Sequence, residues 1–295
     1  MRVLLTGASG QLGSYVLREL RDQQIATIAW SHTQTGRRFG FPLRPVDITD
    51  ADALANAFHE AHPTLVIHAG AISQVAQCFL HPQKAHQVNA CGSAMLAELA
   101  AHAVVRFLQV STDLVFDGER GSYCEQEPPH PLSIYGQTKV AAEQAVLSWP
   151  AHAVARVSLL FGPSISSRPS FFDTLATALR ERRPSKLFED EWRSPLSFLT
   201  AARGLIRVAS SDLTGLLHMG GPERMTRLEM GRRLAAFLNA DPGLLLAAPR
   251  NSDPAAEPRP RDTSLDSSRW RALFPNQEWP SWDDALAAMT GDRFE

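Results

Sequence analysis

The chain has 295 residues, of which 44% are hydrophobic and 20% charged, so it has enough apolar material for a folded core. Its 29 basic and 31 acidic residues give a formal charge of −2, which argues against nucleic acid or an anionic membrane as a partner. The longest stretch without Asp, Glu, Lys or Arg, residues 61–83, contains three His, three Gln and two Pro, which excludes a membrane span.

The N-terminus shows no signal-peptide pattern, because it enters an apolar run without a cleavage site. The three cysteines, Cys78, Cys91 and Cys124, form no CxxC pair and are typical of free thiols in a reducing compartment. We therefore expect a soluble cytoplasmic protein.

The first 160 residues alternate between short apolar runs and segments with helical spacing. The apolar runs predict strands at Arg2–Thr6, Ile25–Trp30, Pro45–Asp47, Leu65–His68, Val104–Val110 and His152–Leu160. Helices are predicted between them at Gln11–Gln23, Ala51–His62 (with Asp50 as N-cap), Pro82–Ala101 and Ile134–Ser148. Buried strands interleaved with helices indicate an α/β fold, a doubly wound parallel sheet with helices on both faces.

After residue 160 this alternation loosens. Helices are predicted at Phe171–Arg182, Leu196–Ala209, Thr226–Asn239 (opened by a capping box with Glu229) and Trp282–Met289, a strand at Leu216–Met219, and a loop at Ala248–Arg261. We therefore assign residues 1–160 to the sheet domain, with some later segments returning to it. Residues 161–295 are expected to form mainly a smaller cap.

The first strand leads through a glycine-rich turn, Gly7–Gly13, into the first helix. Gly7 permits a tight turn, Gly10 lets the backbone approach a pyrophosphate, and Gly13 lets the helix lie close to the strand. The helix N-terminus offers free N–H groups and the positive end of its dipole to phosphates. A Rossmann-type dinucleotide site is therefore favoured over a purely structural turn, with contacts from Gly7, Ser9, Gly10, Gln11, Leu12 and Gly13.

The second predicted strand carries no carboxylate at its end to accept a hydrogen bond from a ribose 2′-hydroxyl. Arg37 and Arg38 follow and could face a 2′-phosphate, although two solvated loop arginines are the alternative. The sequence thus favours NADPH, with NADH as the other candidate. Asp47 is a candidate for the adenine edge, and helix capping is its alternative role.

Tyr135 and Lys139 are four residues apart and lie on one face of a predicted helix. A nearby cation stabilises a phenolate and lowers the pKa of a tyrosine toward working pH, which suits proton transfer. Ser111 and Thr112 come at the carboxyl end of a strand, where ligands bind in open α/β sheets. A hydroxyl there could hold a carbonyl oxygen while Tyr135 protonates it, and Asp113 could orient this pair or cap the next turn.

The sequence resembles the extended short-chain dehydrogenase/reductases, and within them the dTDP-4-dehydrorhamnose reductase family. The matching stretches are Gly7–Gly13, His68–Ala71, Val88–Ala90, Val110–Phe116, Pro131–Lys139 and Arg259–Leu265. The resemblance implies reduction of a nucleotide-activated 4-keto-deoxysugar by hydride transfer from NAD(P)H to C4.

The resemblance also implies individual roles. Gly10, Gln11 and Leu12 would contact the pyrophosphate, Asp47 and Ile48 the adenine, and Ala69, Gly70 and Ala71 the nicotinamide-side ribose and phosphates. The catalytic group would comprise Ser111 and Thr112 at the 4-keto oxygen, Tyr135 as acid, and Lys139 at the ribose hydroxyls. Residues 1–160 would be the NAD(P)-binding domain and the cap would bind substrate.

Two features near the predicted substrate differ from the family pattern or leave alternatives open. Leu159 stands where the family usually has a Trp that helps to hold the sugar. Arg193 could pair with a diphosphate and Trp192 could stack on a base, or they could be a salt-bridged arginine and a core tryptophan. The histidine pairs His59/His62 and His81/His86 lack further ligands, so no metal site is predicted.

Two other functions remain open. The family includes the regulatory subunit of methionine adenosyltransferase, which resembles this chain in Val110–Phe116 and Tyr135–Lys139 and acts by binding a partner. An epimerase or dehydratase of a nucleotide sugar would keep the enzyme class and change the reaction. A homodimer is one oligomeric state compatible with the sequence.

Overall fold

The computed structural model describes residues 1–252 and 257–289. The strands are β1 (Arg2–Thr6), β2 (Ala26–Ser31), β3 (Arg37–Arg38), β4 (Phe41–Pro45), β5 (Leu65–His68), β6 (Arg106–Thr112), β7 (Ala153–Val157), β8 (Leu160–Phe161), β9 (Ser185–Phe188), β10 (Trp192–Arg193), β11 (Leu196–Ser197), β12 (Gly215–Met219), β13 (Met225–Thr226) and β14 (Leu245–Ala248). The helices are α1 (Gln11–Asp22), α2 (Ala51–Ala61), α3 (Val75–Leu80), α4 (Pro82–His86), α5 (Gly92–His102), α6 (Ile134–Leu147), α7 (Phe171–Arg180), α8 (Phe198–Ala209), α9 (Arg227–Phe237), α10 (Ser268–Leu273) and α11 (Trp282–Ala288).

The central sheet has eight strands in the order β12-β7-β6-β5-β1-β2-β4-β3. All neighbouring strands are parallel except β3 and β4, which form an antiparallel hairpin. Because β1 pairs with both β2 and β5, the later strands of the sheet lie on both sides of β1. This topology opens a crevice at the carboxyl end of β1, the place where doubly wound sheets bind ligands.

Apolar helix faces cover both sides of the sheet, as predicted. Leu17 of α1 and Leu205 of α8 belong to the core cluster on one face. Leu54 of α2, Leu96 of α5 and Val146 of α6 belong to the cluster on the other face. The predicted α/β class is therefore confirmed, with strands buried between two helical layers.

Several predicted elements in the first half differ from the structure, among them β6, which begins at Arg106 rather than at Val104, and the strand predicted at His152–Leu160, which is split into β7 and β8. The strand placed at Pro45–Asp47 is β4, which ends at Pro45 and follows the unpredicted strand β3. The helix placed at Pro82–Ala101 is interrupted by a π-helical turn, Gln87–Cys91. Ser111 and Thr112 are the last two residues of β6 rather than residues beyond it.

The later part of the chain contributes to two regions. Helix α8 packs against one face of the central sheet, and β12 is the edge strand of this sheet beside β7. A separate core cluster joins α7, α9 and α11, and includes Leu175, Leu234 and Trp282. The predicted capping box is present at Thr226 and Glu229. Of the predicted loop Ala248–Arg261, residues 253–256 lie outside the described residues.

Within residues 1–252 and 257–289, no helix combines the length and the apolar character needed to cross a bilayer.

Candidate functional site

The turn after β1 brings three backbone segments into close approach. Gly7 has a φ of +67°, and a Cβ at this position would lie 2.7 Å from the carbonyl carbon of Ala69. A Cβ on Gly13 would overlap the carbonyl oxygen of Gly7. Helix α1 begins after Gly10, which supplies no side-chain cap, and its first turn contains no acidic residue. The turn therefore leaves room and N–H donors for a phosphate group, which fits a dinucleotide.

The two arginines of β3 have different surroundings. The Arg38 guanidinium donates to Ser14 Oγ at 2.5 Å and to the Ser9 carbonyl at 3.3 Å, so it lies against the glycine-rich turn. Arg37 is exposed and donates to the Gly40 carbonyl within its own hairpin. The structure therefore brings only Arg38 to the predicted phosphate site.

Asp47 and Ile48 lie just beyond β4. The exposed Asp47 carboxylate accepts hydrogen bonds from Thr49 Oγ1 at 2.7 Å and from the Thr49 amide at 2.9 Å, and these bonds lower its pKa. Ile48 lies against Gly92, where a Cβ would be 2.8 Å from its Cγ1. Asp47 thus stabilises the short turn before α2, whereas Asp50 is the N-cap of that helix, so the alternative role of helix capping by Asp47 was wrong.

The loop that follows β5 contains Ala69, Gly70 and Ala71 and lies beside the glycine-rich turn. The Gly70 amide donates to Thr6 Oγ1 at 3.1 Å, and the same hydroxyl contacts His68 Nδ1 at 2.6 Å. Burial lowers the pKa of His68 to about 3, so its ring is neutral at pH 7. This neutral hydrogen-bond network joins the ends of β1 and β5 at the crevice.

Two positioning residues were missed by the sequence reasoning. Asn89, in the π-helical turn, holds both the amide and the carbonyl of Ile72, at 2.8 and 3.0 Å, and donates to Thr138 Oγ1. Glu257 accepts from the Ile134 amide at 2.8 Å and so caps the start of α6. Asn89 could have been recognised from the sequence, because a polar Asn lies between apolar neighbours within a helical pattern. The contact of Glu257 with Ile134 could not, because the two residues are 123 positions apart.

Tyr135 and Lys139 lie one turn apart in α6 and are both buried. Lys139 Nζ donates to the Val110 carbonyl at 2.7 Å, and burial lowers the pKa of this amine to about 8. Burial raises the pKa of Tyr135, and the nearby Cys78 and Asp113 raise it further. The expectation that Lys139 lowers the pKa of Tyr135 was therefore wrong for the ligand-free chain.

The two predicted hydroxyls at the end of β6 have different partners. Ser111 Oγ donates to Glu143 Oε1 at 2.5 Å, and Glu143 forms a buried ion pair with Arg156 at 2.6 Å. Thr112 Oγ1 donates to Asp113 Oδ1 at 3.1 Å, and a hydrogen bond from Thr112 partly counters the raised pKa of Tyr135. Only Thr112 therefore accompanies the phenol, which corrects the predicted placement of both hydroxyls at one carbonyl oxygen.

Asp113 connects the end of β6 to the later part of the chain. Its Oδ2 accepts from Ser158 Oγ at 2.9 Å and from Thr263 Oγ1 at 3.1 Å, and it lies 3.7 Å from Arg193 Nε. Thr263 belongs to the stretch Arg259–Leu265 that marked the family resemblance. This contact gives that stretch a structural reason, because it completes the surroundings of the buried carboxylate beside Tyr135.

Arg193 is buried and its charge is already compensated. Its guanidinium lies 3.4 Å from Glu191 Oε1 and also donates to the Trp192 carbonyl at 2.6 Å. Together with the contact to Asp113, this placement corrects the predicted diphosphate contact of Arg193 in favour of the salt-bridged alternative. Trp192 is partly exposed and stacks with the Arg224 guanidinium, whose centre is 3.9 Å from the ring centroid.

Glu191 is the centre of an arginine cluster formed by Arg193, Arg227 and Arg259. Arg227 Nε lies 2.9 Å and Arg259 Nη1 3.5 Å from its carboxylate. Burial raises the pKa of Glu191, but Arg193 and Arg227 outweigh this effect and the pKa is lowered. Arg227 Nη1 is buried and makes no hydrogen bond within the described part of the chain. The cluster thus has more positive charge than its one shared carboxylate balances.

The family described as RmlD substrate binding domain matches residues 1–293. The chain belongs to this family. The match extends over the central sheet and the later part of the chain.

The chain is similar to three relatives with different names. Agl14 of Haloferax volcanii, named as a probable low-salt glycan biosynthesis reductase, is 29% identical, covering 98% of this chain and 97% of its own. Methionine adenosyltransferase 2 subunit beta of Bos taurus is 30% identical, covering 95% and 84%. The dTDP-4-keto-6-deoxy-D-glucose reductase of Streptomyces niveus is 27% identical, covering 94% and 93%.

Among solved structures, the dTDP-4-dehydrorhamnose reductase of Bacillus anthracis in complex with NADP has a TM-score of 0.86 at 24% identity. The alignment covers 99% of each chain. The Rossmann-type architecture of this RmlD-family protein is therefore shared along its length.

Proposed function

We propose that this RmlD-family protein is an NADPH-dependent oxidoreductase that reduces the 4-keto group of a nucleotide-activated deoxysugar. The observation that carries the proposal is the hydrogen bond between the Tyr135 phenol and Thr112, at the carboxyl end of β6, with Lys139 one turn away in α6. The chain is 29% identical to Agl14 and 27% identical to the Streptomyces niveus enzyme, and both proteins are named as reductases, which supports the proposed reaction.

The cofactor site consists of the turn Gly7–Gly13, the loop Ala69–Ala71 and Arg38. When bound, NADPH supplies the hydride that reaches the sugar carbon. Arg38 supports the phosphorylated form, because its guanidinium already lies against Ser9 and Ser14, and a 2′-phosphate at this position would gain a charge-assisted partner. The Bacillus anthracis structure, which contains NADP, agrees with this assignment.

Tyr135 is the proton donor. Because burial raises its pKa, the phenol keeps its proton at neutral pH and can deliver it to the developing C4 alkoxide. Thr112 orients the substrate oxygen toward the phenol. Lys139, whose ammonium donates to the Val110 carbonyl, holds the ribose hydroxyls.

The substrate diphosphate binds to Arg227 and Arg259 of the arginine cluster, in place of the Arg193 contact inferred from sequence. These two guanidiniums share Glu191 with Arg193, and Arg227 has a spare buried donor. Bidentate arginine–phosphate contacts suit this excess of charge. In domain terms, residues 1–160 with α8 and β12 bind the cofactor, and the remainder of residues 161–295 mainly binds the substrate.

The test is a reaction of the purified chain with NADPH and dTDP-4-keto-6-deoxy-D-glucose. Oxidation of NADPH at 340 nm, with stoichiometric formation of the 4-hydroxy sugar, is the expected result. Absence of NADPH oxidation with this sugar and with other dTDP- and UDP-linked 4-keto sugars would contradict the proposed reaction. Turnover with retained cofactor and no net oxidation would instead indicate an epimerase or dehydratase.

A regulatory role is the second candidate, favoured by the bovine subunit beta relative and by Leu159 in place of the family Trp. In that case the chain binds a dinucleotide and a partner enzyme without turnover. Affinity capture from the source cells separates the two functions. A stoichiometric methionine adenosyltransferase together with no sugar reduction would favour the regulatory role.

A further inference from the structure

The segment 162–170, here called the strap, connects β8 to α7 and crosses the predicted cofactor site. Gln11, the first residue of α1, donates from Nε2 to the Arg168 carbonyl at 3.1 Å. Gln34, in the connection that follows β2, donates from Nε2 to Ser167 Oγ at 3.3 Å. The strap therefore contacts both the turn after β1 and the connection after β2, which together border the crevice.

The strap is anchored firmly at its two ends. The Tyr15 hydroxyl donates to the Pro163 carbonyl at 2.7 Å, next to Gly162, whose φ is +130°. At the other end, Ser170 and Asp173 form a capping box at the start of α7. Between these anchors, residues 167–169 are exposed, and the backbone of Arg168 is held by hydrogen bonds with Gln11, Ser164 and Ser166. The backbone of the strap is thus fixed beside the glycine-rich turn, while the long exposed side chain of Arg168 can change rotamer to meet a ligand.

The backbone of Arg168 lies at the N-terminus of α1, and its side chain carries a positive charge on the exposed part of the strap. Its backbone carbonyl accepts from Gln11 and from Ser164 Oγ, whereas its exposed side chain has no ion pair or hydrogen bond among residues 1–252 and 257–289. The acidic residue of the strap region, Asp173, is engaged by the capping box and by the Ser164 amide. No carboxylate of the first turn of α1 is available either.

We propose that the Arg168 guanidinium, carried by the strap, binds the pyrophosphate of the dinucleotide. The pyrophosphate would lie between the N-terminus of α1 and this guanidinium. The helix end supplies N–H donors from one side, and Arg168 supplies a planar, always charged fork from the other. The inference rests on the proposed dinucleotide-dependent function and adds a binding residue to it.

The contacts of the two arginines suggest different phosphate groups of the dinucleotide as their ligands, the pyrophosphate for Arg168 and the 2′-phosphate for Arg38. Arg168 is linked to Gln11, at the N-terminus of α1, whereas Arg38 is linked to Ser9 and Ser14 through its own guanidinium. Because NADPH and NADH share the pyrophosphate and differ only in the 2′-phosphate, the two arginines should affect the two cofactors differently.

The experiment measures the Kd of NADPH and of NADH, by calorimetry and without sugar substrate, for the full chain and its variants. We expect Arg168→Ala to weaken binding of both cofactors by about tenfold, as loss of a charge-assisted hydrogen bond does. Arg168→Lys should recover part of the affinity, since it keeps the charge without the fork. Arg207→Ala, which removes an exposed arginine of α8, should leave both Kd values unchanged.

The proposal is overturned if Arg168→Ala binds both cofactors like the unaltered chain, or if its loss is confined to NADPH. Circular dichroism and the melting temperature of each variant confirm that folding is intact. If the unaltered chain binds neither cofactor, the proposed function fails together with this inference. If Arg168→Ala weakens the binding of both cofactors and Arg207→Ala does not, the result supports Arg168 as a pyrophosphate ligand and is compatible with the proposed function.

Discussion

The hydroxyl of Ser111 donates to Glu143 at 2.5 Å, while the hydroxyl of its neighbour Thr112 contacts Asp113 beside Tyr135. Adjacent side chains of a strand point to opposite sides, so two consecutive hydroxyls cannot easily serve one ligand atom. The structure thus separates a residue of a buried ion-pair network from a residue of the reaction site.

This separation predicts different outcomes for two conservative substitutions. Thr112→Val should lower kcat by about 100-fold, because the carbonyl oxygen loses an orienting donor. Ser111→Ala should leave kcat within a few-fold and lower the free energy of unfolding by about 1 kcal/mol, since Glu143 loses one partner. Steady-state kinetics and urea denaturation measure the two effects, and equal kinetic losses would contradict the assignment.

Tyr135→Phe tests the proton donor directly. We expect kcat to fall by at least about 100-fold, because the developing alkoxide has no acid to protonate it. The Kd of NADPH should change little, since the phenyl ring preserves the apolar contacts of the cluster around Cys78 and Ala85. Retained turnover with intact cofactor binding would assign the proton transfer to another group.

The lowered pKa of the buried Lys139 predicts that the free energy of unfolding of the chain depends on pH. Burial lowers this pKa from 10.5 to about 8, so the unfolded chain binds more protons than the folded chain between these values. The destabilisation caused by this buried amine is fully present below pH 8 and disappears as the pH rises toward 10.5. Lys139→Met should therefore raise the free energy of unfolding at pH 7 by about 2 kcal/mol and abolish turnover.

The control for this prediction is Lys186→Met, which removes an exposed lysine of β9. Urea denaturation of both variants at pH 7 and pH 9.5 should show stabilisation only for Lys139→Met, and less of it at the higher pH. A loss of stability at pH 7 would indicate that the hydrogen bond to the Val110 carbonyl outweighs the desolvation of the amine.

Arg38→Ala tests the cofactor preference. The substitution should raise the KM of NADPH by about 10- to 100-fold, as expected for a hydrogen-bonded charge pair, and leave the KM of NADH nearly unchanged. Arg37→Ala is the matched control, because Arg37 is exposed and donates to Gly40 within its own hairpin. A change in NADPH affinity for Arg37→Ala alone would reverse the assignment of the two arginines.

Arg259→Ala tests the diphosphate site. Because Arg259 is half exposed and lies at the edge of the arginine cluster, its truncation should raise the KM of the nucleotide sugar by about tenfold and change kcat little. Binding of dTDP should weaken in parallel, whereas binding of thymidine should not. Arg44→Ala, on β4, provides a surface control. An unchanged dTDP affinity would remove Arg259 from the site.

The amino-acid sequence alone determined the class of fold and the place of the cofactor turn. Apolar runs, helical periodicity and the spacing of Gly7, Gly10 and Gly13 are local properties, and each can be read from one stretch of sequence without knowing what packs against it. The same holds for Tyr135 and Lys139, whose four-residue spacing places them on one face of a helix. Strand ends were less accurate, because neighbouring strands decide where pairing stops.

Only the tertiary structure decided which polar groups face the crevice. Arg193 forms ion pairs with Asp113 and Glu191, Ser111 donates a hydrogen bond to Glu143, and Lys139 donates one to the Val110 carbonyl. Local sequence carries no record of such pairings, because the charge or hydroxyl looks the same whether it is free or bound. Burial then decides its chemistry, since a low-dielectric interior changes both the partners a group needs and its pKa.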